Sequence, residues 1–473
     1  MINSNLIKET DEVISDLKEL QDAGLICRDG EFFPTVHYPP ITMYPPLSEE
    51  DLFKGYRNPS DNLFVIYVHI PFCMKYCVFC HYPVKIGSSS EEKDYYLDML
   101  EKEIDIYTKR LGLESIRARS ILVGGGTPTY LTPAQLKRFL SSFTSRVDLS
   151  NCTQFSYDVD PVTLLGPEGK ERLEIMKTFG VDRLTIGVQS FDDEMLKKMN
   201  RPHNAQEAVS AIQQAKEAGF KINIEFIYGY PGQTLETWIE TMEKAVSLGI
   251  EEIQNYRLKV IPYGDHNGFI LKEVTQDRKD LPSLEQTMIM KRVAILILSQ
   301  NGYKENLIRV FSRNSEDFSH YANDQCCNLV DQIGFGLTAF SSLRDRFGLN
   351  TQDFTEYYSL INQGRLPLNR GLVRNKDDQL RWAIILPLKN RKVYKNYFRK
   401  ITGVSLNEVF RNKIEKLKEF GLLYEDDKVL APTERGRLFA DEVCQAFFHP
   451  DYMPFPRTAY AHGRLYPYDD WEP

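Results

Sequence analysis

The sequence predicts an α/β protein whose core is a set of parallel strands. Two observations support this prediction: six short apolar runs have the character of buried strands, and amphipathic helical segments lie between them. The units recur about every 30–40 residues, a spacing typical of parallel strands joined by right-handed helical crossovers. The pattern by itself fits a complete barrel, a partial barrel or a doubly wound sheet.

The individual elements can be assigned from the apolar periodicity. The first strand, LFVIYVHI, precedes the helical segment EKDYYLDMLEKEIDIYTKRL. The later strands are predicted from ARSILVGGG, TQFSYDVDP, VDRLTIGVQS, KINIEFIYGYPG and IEEIQNYRLKVIP. Helices are predicted from TPAQLKRFLSSF, with Pro133 in its first turn, and from GKERLEIMKTFG, NAQEAVSAIQQAKEAGF and TLETWIETMEKAVSLG. Before them, a short helix that ends at Gly24 and a Pro- and Tyr-rich segment predict an extended arm lying on another part of the protein.

Composition argues against several classes of function. The chain has 473 residues, of which 42% are hydrophobic and 26% charged, as in globular proteins, and it is long enough for more than one core. Its net charge of −8 argues against a general nucleic-acid-binding protein. No apolar run approaches the ~20 residues of a membrane helix. The acidic, amphipathic N-terminus does not resemble a signal peptide, so the eight cysteines predict reduced thiols in a cytoplasm.

Polar and thiol residues are concentrated where the predicted strands end. Ligands bind at the carboxyl ends of the strands in parallel barrels and in doubly wound sheets alike. The residues at these ends are Cys73, Cys77 and Cys80 after the first strand, Gly124, Gly125, Gly126 and Thr127 after the second, Asp158 and Asp160, Gln189 and Ser190, Glu225, Tyr228 and Gly229, and Arg257 on the sixth strand. We therefore expect one edge of the sheet to carry the functional site.

The three cysteines have the spacing C-x3-C-x2-C in the segment CMKYCVFCHY. Thiolates bind zinc or iron–sulfur clusters, and a structural zinc ion takes four ligands, so His81 would have to complete a Cys3His site. Three incidental thiols are the remaining alternative. A [4Fe–4S] cluster held by three cysteines leaves one iron without a protein ligand, and an open metal position indicates chemistry at the cluster.

Five ordered segments make the chain similar to a known family. YVHIPFCMKYCVFC, VGGGTPTYL, RLTIGVQSFDDEMLKKMNRPHN, FIYGYPGQT and QIGFGLTAFSS resemble the radical S-adenosylmethionine (SAM) enzymes, in the branch of oxygen-independent coproporphyrinogen III oxidase. The resemblance covers residues 60–345, and the later segment FRNKIEKLKEFGLLYEDDKVLAPTERGRLFADEVCQAFF resembles the helical, winged-helix-like C-terminal domain of that branch.

The resemblance implies a fold and a division of the chain. The fold is a partial (βα)6 TIM-like radical SAM barrel with an N-terminal arm and a C-terminal helical domain. The implied division is an arm over residues 1–60, the barrel with its extension over 61–345, a winged-helix-like domain over 346–448 and a tail over 449–473. His449 and His462 lie among aromatic residues in that tail, which we interpret as a surface strap.

The resemblance also implies the cofactors and the reaction. Cys73, Cys77 and Cys80 would hold a [4Fe–4S] cluster, and SAM, in one or two copies, would bind the fourth iron. An electron from a reduced flavodoxin- or ferredoxin-type donor would then cleave SAM to a 5′-deoxyadenosyl radical, which takes a hydrogen atom from a small-molecule substrate such as a tetrapyrrole. The cofactors carry this chemistry, while the protein binds and orients them.

Further site residues follow from matching positions in the family. Tyr67, Gln189 and Arg201 are predicted to be catalytic. Asp158 stands where the oxidase has a glutamate that contacts SAM, and Glu225 stands where it has an aspartate. Gln189, Arg201 and Arg257 match positions around a second SAM. The complete set predicted to bind cofactor is Tyr67, Phe79, Gly124, Gly125, Gly126, Thr127, Asp158, Gln189, Arg201, Glu225, Arg257 and Phe340.

Departures from the family pattern leave three functions open. The oxidase has a further cysteine two residues after the third, where this chain has Tyr82. The first function is an oxidoreductase that abstracts hydrogen from a tetrapyrrole-like substrate. The second is a methyltransferase or cyclopropanase that uses two SAM molecules on heme or a natural-product precursor. The third is a heme-binding chaperone that retains the cluster.

Overall fold

The computed structural model describes residues 2–26, 35–41, 44–260, 270 and 281–452. His462 and most of the predicted C-terminal tail lie outside these residues. Within them, no helix combines the length and the apolar composition of a membrane span.

Six strands form the centre of the molecule, and each corresponds to one of the predicted apolar runs. Helices cover the outer face of these strands, and most of the strand sequences are apolar; the exception is the last strand, EIQNYR. Their bounds are β1 Leu63–Ile70, β2 Ile116–Gly125, β3 Phe155–Val159, β4 Arg183–Gln189, β5 Lys221–Tyr228 and β6 Glu252–Arg257.

The helices between these strands begin at capping residues that the sequence displays. Pro133 occupies the first turn of its helix, where its missing N–H costs no hydrogen bond, and Thr132 and Gln135 form a capping box ahead of it. Asn204 and Glu207 form the same kind of capping box three helices later. The helices up to β6 are α1 Ile2–Asp22, α2 Glu49–Phe53, α3 Ser90–Arg110, α4 Pro133–Arg146, α5 Gly166–Thr178, α6 Asp193–Lys198, α7 Ala205–Glu217 and α8 Leu235–Ser247.

The strand order selects the barrel from the alternatives. The six strands pair in parallel in the order β6-β5-β4-β3-β2-β1, so each strand lies beside its neighbour in the chain. In a doubly wound sheet, the order of the strands would instead reverse at a switch point. The described strands do not close into a ring, because further strands extend the sheet at both ends. The fold is therefore a partial TIM-like barrel, as predicted.

The extension strands follow β6 in the chain. β8 pairs antiparallel with β6, and β9 pairs in parallel with β1 and begins a meander that ends at β12. Their bounds are β7 Lys304–Leu307, β8 Val310–Ser312, β9 Gln332–Phe335, β10 Phe340–Leu343, β11 Arg346–Asn350 and β12 Leu368–Val373. The predicted boundary at residue 345 thus falls between two paired strands, β10 and β11. We propose that the barrel unit extends to Val373.

A second hydrophobic core forms around the C-terminal helices and a three-stranded sheet. Val13, Leu17 and Leu20 of α1 belong to this core, together with Trp382 and Phe410. The N-terminal helix therefore packs with the C-terminal unit. The longer helices after β6 and the strands of the C-terminal sheet are α9 Leu284–Gln300, α10 Phe354–Asn362, α11 Lys376–Asn390, α12 Lys395–Thr402, α13 Leu406–Glu419, α14 Glu434–Leu438 and α15 Ala440–Gln445, with β13 Val393–Tyr394, β14 Leu423–Glu425 and β15 Val429–Pro432.

The segment that follows α1 bridges the barrel and the C-terminal core. The Thr35 N–H donates to Asp441 on α15 at 2.8 Å, and the Tyr38 ring packs on Phe448 with centroids 4.9 Å apart. Further along, the Gly371 N–H donates to the Pro45 carbonyl at 3.0 Å. The described part of the arm thus lies on other parts of the chain, as its Pro-rich composition predicts.

A buried carboxylate ties α3 to the loop between β9 and β10. Glu103 on α3 has no exposed surface and accepts from Gly336 N at 2.8 Å, Asn350 Nδ2 at 2.7 Å and the Tyr357 hydroxyl at 2.7 Å. Burial raises the pKa of Glu103 to about 7. A Cβ on Gly336 would lie 2.5 Å from the His69 carbonyl, so this contact also fixes the end of β1.

Replacing Tyr357 by Phe should destabilise the protein by about 2 kcal/mol, because a buried carboxylate loses a hydrogen-bond donor. The adjacent Tyr358→Phe is the matched control, since the Tyr358 ring packs on its neighbours and its hydroxyl makes no hydrogen bond with a described residue. Chemical denaturation of both variants tests the prediction. Equal destabilisation by the two changes would contradict it.

Candidate functional site

The cysteine loop begins directly after β1. Its first two residues, Phe72 and Cys73, pair in parallel with Lys85 and Ile86, so the intervening residues form a closed loop. All three thiols are free: Cys73 is buried, and Cys77 and Cys80 are half-buried. The predicted metal ligands therefore share one loop at the carboxyl end of the barrel, where such sites are found.

The glycine-rich end of β2 packs directly against this loop. Gly126 N donates to the Ile70 carbonyl at 2.9 Å, and Thr127 N donates to the Phe72 carbonyl at 2.8 Å. The Thr127 hydroxyl lies 3.5 Å from Cys73 Sγ. A Cβ on Gly126 would lie 2.8 Å from both Cys73 Sγ and the Phe72 carbonyl oxygen. Only glycine fits at this contact without displacing the cysteine loop.

The other two glycines of this turn make room for side chains of the barrel interior. A Cβ on Gly124 would lie 2.5 Å from Asp158 Oδ2, and one on Gly125 would lie 2.9 Å from the His69 ring. Gly125 also has φ +119, which L side chains rarely adopt. The close approach of Asp158 and His69 thus accounts for these glycines within the protein itself.

The thiols fit a cluster better than a single metal ion. Among the described residues, no three His, Cys, Asp or Glu side chains converge on one ion. In a cube each thiolate binds a different iron, so its ligands need not converge. His81, which a zinc site would require, lies instead with Nε2 2.9 Å from the Lys259 carbonyl. Burial raises the pKa of Cys73 to about 12 and also raises that of Cys80, so metal binding here must release protons.

Arg201 lies against the cysteine loop and is almost completely buried. Its Nη1 is 3.1 Å from Cys77 Sγ, and its Nη2 donates to Asp160 Oδ2 and to the Gly187 carbonyl, each at 2.7 Å. The Arg201 and Asp160 side chains are 9% and 10% exposed. His203 follows, with Nδ1 4.0 Å from Asp160 Oδ1 and Nε2 3.1 Å from the Val188 carbonyl. Asp160 and Arg201 are 41 positions apart, and no local sequence pattern indicates that they pair.

Two acidic side chains point into the barrel from β3 and β5. Near Asp158 and Glu225, Arg183 and Glu252 form an ion pair whose closest atoms are 2.8 Å apart. Burial raises the pKa of both Asp158 and Glu225; the charge of Glu225 adds to the effect at Asp158, while Arg183 opposes it at both. The Tyr256 hydroxyl donates to Glu225 Oε1 at 3.3 Å. The site thus holds two acids in a low-dielectric interior.

Tyr67 and His69 occupy neighbouring inward positions on β1. The Tyr67 hydroxyl lies 3.0 Å from His69 Nδ1, and the rings of Tyr67 and Tyr321 lie 6.2 Å apart. His69 Nε2 is buried without a hydrogen-bond partner among the described residues. Burial lowers the pKa of His69 to about 3, so the imidazole is neutral.

Three further predicted residues have contacts that the structure describes. Phe79 packs on a small cluster that includes Val78 and Met195. Gln189 is buried at a bulge that ends β4 and has φ +69, an uncommon conformation for a residue other than glycine. The Phe340 ring stacks on Phe347 with centroids 5.0 Å apart.

The arm reaches this same place through His37. The His37 ring meets the Phe340 ring edge-on, with centroids 4.5 Å apart, and the Phe347 ring at 5.2 Å. The N-terminal arm therefore contributes a side chain to the surroundings of a predicted SAM-contacting residue.

Arg257 lies apart from the other predicted residues. It pairs with Tyr228 at the ends of β6 and β5. Gln254 and Tyr256, on the same strand, face the barrel interior, where Gln254 donates to the Tyr256 hydroxyl and Tyr256 donates to Glu225. Because successive side chains in a strand point to opposite faces, Arg257 lies on the outward face with Tyr228. Burial lowers its pKa, and its charged neighbours include Asp441 and Glu442 of α15. Its surroundings thus belong to the contact with the C-terminal unit.

The barrel and its cysteine loop define a radical SAM fold, and comparison with protein families agrees. Residues 67–245 match the Radical SAM superfamily, and residues 375–439 match the HemN C-terminal domain. The chain therefore belongs to the radical SAM superfamily, in the branch that carries the HemN C-terminal domain.

Individual relatives extend the comparison to most of the chain. Heme chaperone HemW of Bacillus subtilis is 29% identical over 80% of this chain and 98% of its own length. Oxygen-independent coproporphyrinogen III oxidase of Pseudomonas aeruginosa is 28% identical over 81% of this chain and 85% of its own length. The solved structure of coproporphyrinogen III oxidase (HemN) from Escherichia coli, a radical SAM enzyme, matches with a TM-score of 0.71 at 27% identity, over 86% of this chain and 96% of that chain.

Gly126→Ala should prevent cluster assembly, because the added Cβ would collide with Phe72 backbone and with Cys73 Sγ. Iron and acid-labile sulfide, measured after anaerobic reconstitution, should fall several-fold. The control is Gly112→Ala at the end of α3, where φ is +67 and no atom lies within 4 Å of the added Cβ. That change should cost about 1 kcal/mol of stability and leave the iron content unchanged. Full iron loading of the Gly126 variant would contradict the steric argument.

Glu225→Gln should weaken the loss of stability with rising pH. An acid whose folded pKa is raised holds its proton while the unfolded chain releases it, so stability falls as pH rises from the unfolded pKa to the folded one. In the variant one such acid is gone and Asp158 is no longer repelled. Between about pH 5 and about pH 8, wild type should lose at least about 1 kcal/mol more than the variant.

Urea denaturation at the two pH values measures this difference. Glu240→Gln, which changes an exposed glutamate on α8, is the control and should behave as wild type. Parallel stability–pH curves for wild type and the Glu225 variant would show that the pair does not titrate as argued.

Proposed function

We propose that this chain is an oxidoreductase that abstracts hydrogen from a large, tetrapyrrole-like substrate, with Cys73, Cys77 and Cys80 holding a [4Fe–4S] cluster. When bound, the cluster and SAM supply a 5′-deoxyadenosyl radical through one-electron cleavage of a carbon–sulfur bond of SAM, with the electron delivered by an external one-electron reductant. The chain itself binds these groups, orients them and excludes water.

The packing of the cysteine loop on the Gly126 turn is the observation that carries this proposal. Backbone hydrogen bonds from Gly126 and Thr127 hold Ile70 and Phe72, at the start of the loop beside Cys73. A rigid site reduces the cost of ordering ligands when the metal binds. Arg201 supplies a positive charge beside Cys77 Sγ, which would stabilise the negative charge of a bound cluster.

The remaining predicted residues have roles consistent with SAM binding. The backbone of Gly124–Gly126 forms one wall of the barrel opening, with Tyr67 and Asp158 beside it. We propose that Asp158 and Glu225 contact the cationic groups of SAM, since two acids in a buried site favour a cation. Gln189 and Phe340 would border the same space, and the second-SAM assignment of Arg257 stays a prediction.

The oxidase relatives support the proposed substrate class. The oxidases of Pseudomonas aeruginosa and Escherichia coli are named for coproporphyrinogen III, and each aligns with more than 80% of this chain. The described arm places His37 beside Phe340 at the barrel, where it would contribute to a substrate-binding surface.

Heme chaperoning is the second candidate function. It is favoured by the similarity to HemW of Bacillus subtilis, which extends over 98% of that protein, and by Tyr82, which stands where the oxidase motif has a cysteine. Under this alternative the cluster would be retained and heme would bind without turnover.

A product assay distinguishes the candidates. The anaerobically reconstituted protein is mixed with reductant, SAM and either coproporphyrinogen III or heme, and nucleosides are quantified by mass spectrometry. The oxidase proposal expects 5′-deoxyadenosine without S-adenosylhomocysteine and with loss of coproporphyrinogen III. Both nucleosides rising together would indicate methyl or methylene transfer, and retained heme without either nucleoside would indicate the chaperone.

Cys77→Ala should abolish both the cluster and 5′-deoxyadenosine formation, by at least about a hundredfold, because one iron loses its ligand. Cys152→Ala is the matched control: its half-buried thiol donates to the Gln154 carbonyl at 3.4 Å and lies outside the cysteine loop, so iron content and product should be unchanged. SAM cleavage at the wild-type rate in the Cys77 variant would refute the cluster assignment.

A further inference from the structure

The guanidinium of Arg201 is largely committed to partners within the protein. Nη2 donates to both Asp160 Oδ2 and the Gly187 carbonyl at 2.7 Å, which uses both of its N–H groups. Nη1 lies 3.1 Å from Cys77 Sγ. Nε is buried without a hydrogen-bond partner among the described residues. The planar fork is therefore held on one side by oxygen acceptors and faces the sulfur with the other.

We propose that Arg201 is a hydrogen-bond donor to the cluster-ligating sulfur of Cys77 and thereby raises the reduction potential of the cluster, with Asp160 and the Gly187 carbonyl as its positioning groups. The inference rests on the proposed cluster at Cys73, Cys77 and Cys80. It assigns Arg201 to the cluster itself, whereas the family resemblance assigns this position to a second SAM.

The electrostatic reason is direct. Reduction adds one negative charge to a cluster, and part of that charge resides on the thiolate sulfurs. Hydrogen bonds to those sulfurs and nearby positive charge stabilise the reduced form, so both raise the potential. A charge-assisted bond in a buried site has a larger effect than one in water. With only 9% of its side chain exposed, Arg201 is in such a site.

The connection of this arginine to the loop is also mechanically stiff. Val78 N donates to the Met199 carbonyl at 3.1 Å, and Asn200 Nδ2 donates to the Tyr76 carbonyl at 2.7 Å. The segment that carries Arg201 is thus bonded to the cysteine loop on both sides of Cys77. The distance from Arg201 to the sulfur is set by the Val78–Met199 backbone bond and by the Asp160 ion pair together.

Redox titration of the reconstituted protein, followed by electron paramagnetic resonance in the absence of SAM, tests the inference. The informative variant is the double change Arg201→Met with Asp160→Asn. It removes a positive and a negative charge together, so no buried charge is left unpaired and the net charge at the site is unchanged. Its potential should fall by about 59 mV, which corresponds to a tenfold change in the reduced-to-oxidised ratio of a one-electron couple.

Two further variants separate the sulfur contact from other effects. Arg201→Lys keeps the charge but cannot reach the sulfur and both oxygen acceptors at once, so its potential should lie between those of wild type and the double variant. Asn200→Ala loosens the same loop without touching sulfur, and its potential should equal that of wild type.

The outcomes are distinct. An unchanged potential in the double variant, or an equal fall in the Asn200 variant, would overturn the role of Arg201 at the sulfur. Iron and sulfide contents are measured on the same samples. Failure of wild type to assemble any cluster would instead refute the proposed function on which the inference rests.

Discussion

The contact between two backbones, at Gly126 and at the start of the cysteine loop, is the constraint on which the site depends. The Gly126 N–H donates to the Ile70 carbonyl, and the Thr127 N–H donates to the Phe72 carbonyl. A Cβ on Gly126 would have no space beside the Phe72 backbone. These two residues follow β2, and the loop follows β1, so the paired strands deliver the two backbones to the same point. The barrel therefore positions the start of the cysteine loop through main-chain bonds, and the side chains of Asn200 and Arg201 contact the loop near Cys77.

Much of this arrangement follows from local sequence. The six strands could be predicted because each is an apolar run between amphipathic helices, and the sequential order of parallel pairs then brings all their carboxyl ends to one edge. The cysteines could be predicted from their spacing. The outward face of Arg257 was also readable in principle, because Gln254 and Tyr256 alternate with Asn255 and Arg257 along β6.

Other features depend on contacts between distant segments and carry no local pattern. Asp160 and Arg201 are separated by 41 positions, and their pairing results from the way the loops after β3 and β4 meet. The hydrogen bond from the Gly336 N–H to the Glu103 carboxylate joins residues that are 233 positions apart. The glycines at 124 and 125 were expected to admit a ligand, yet Asp158 and His69 fill the space beside them. The need for glycine there is a packing requirement that sequence alone does not separate from ligand binding.

The distribution of buried charge connects these observations to function. Arg183 is matched by Glu252, and Arg201 by Asp160, so each of these cations already has an anionic partner. Arg183 acts to lower the pKa of both Asp158 and Glu225, and Arg201 that of Glu225, but burial has the larger effect and raises the pKa of both. A barrel interior of this kind has an excess of acid over base at the level of the glycine turn. A cationic ligand would correct that excess by drawing the acids into their charged form. SAM carries a sulfonium and an ammonium group, so the electrostatics of the barrel interior and the chemistry of the superfamily's cofactor are complementary.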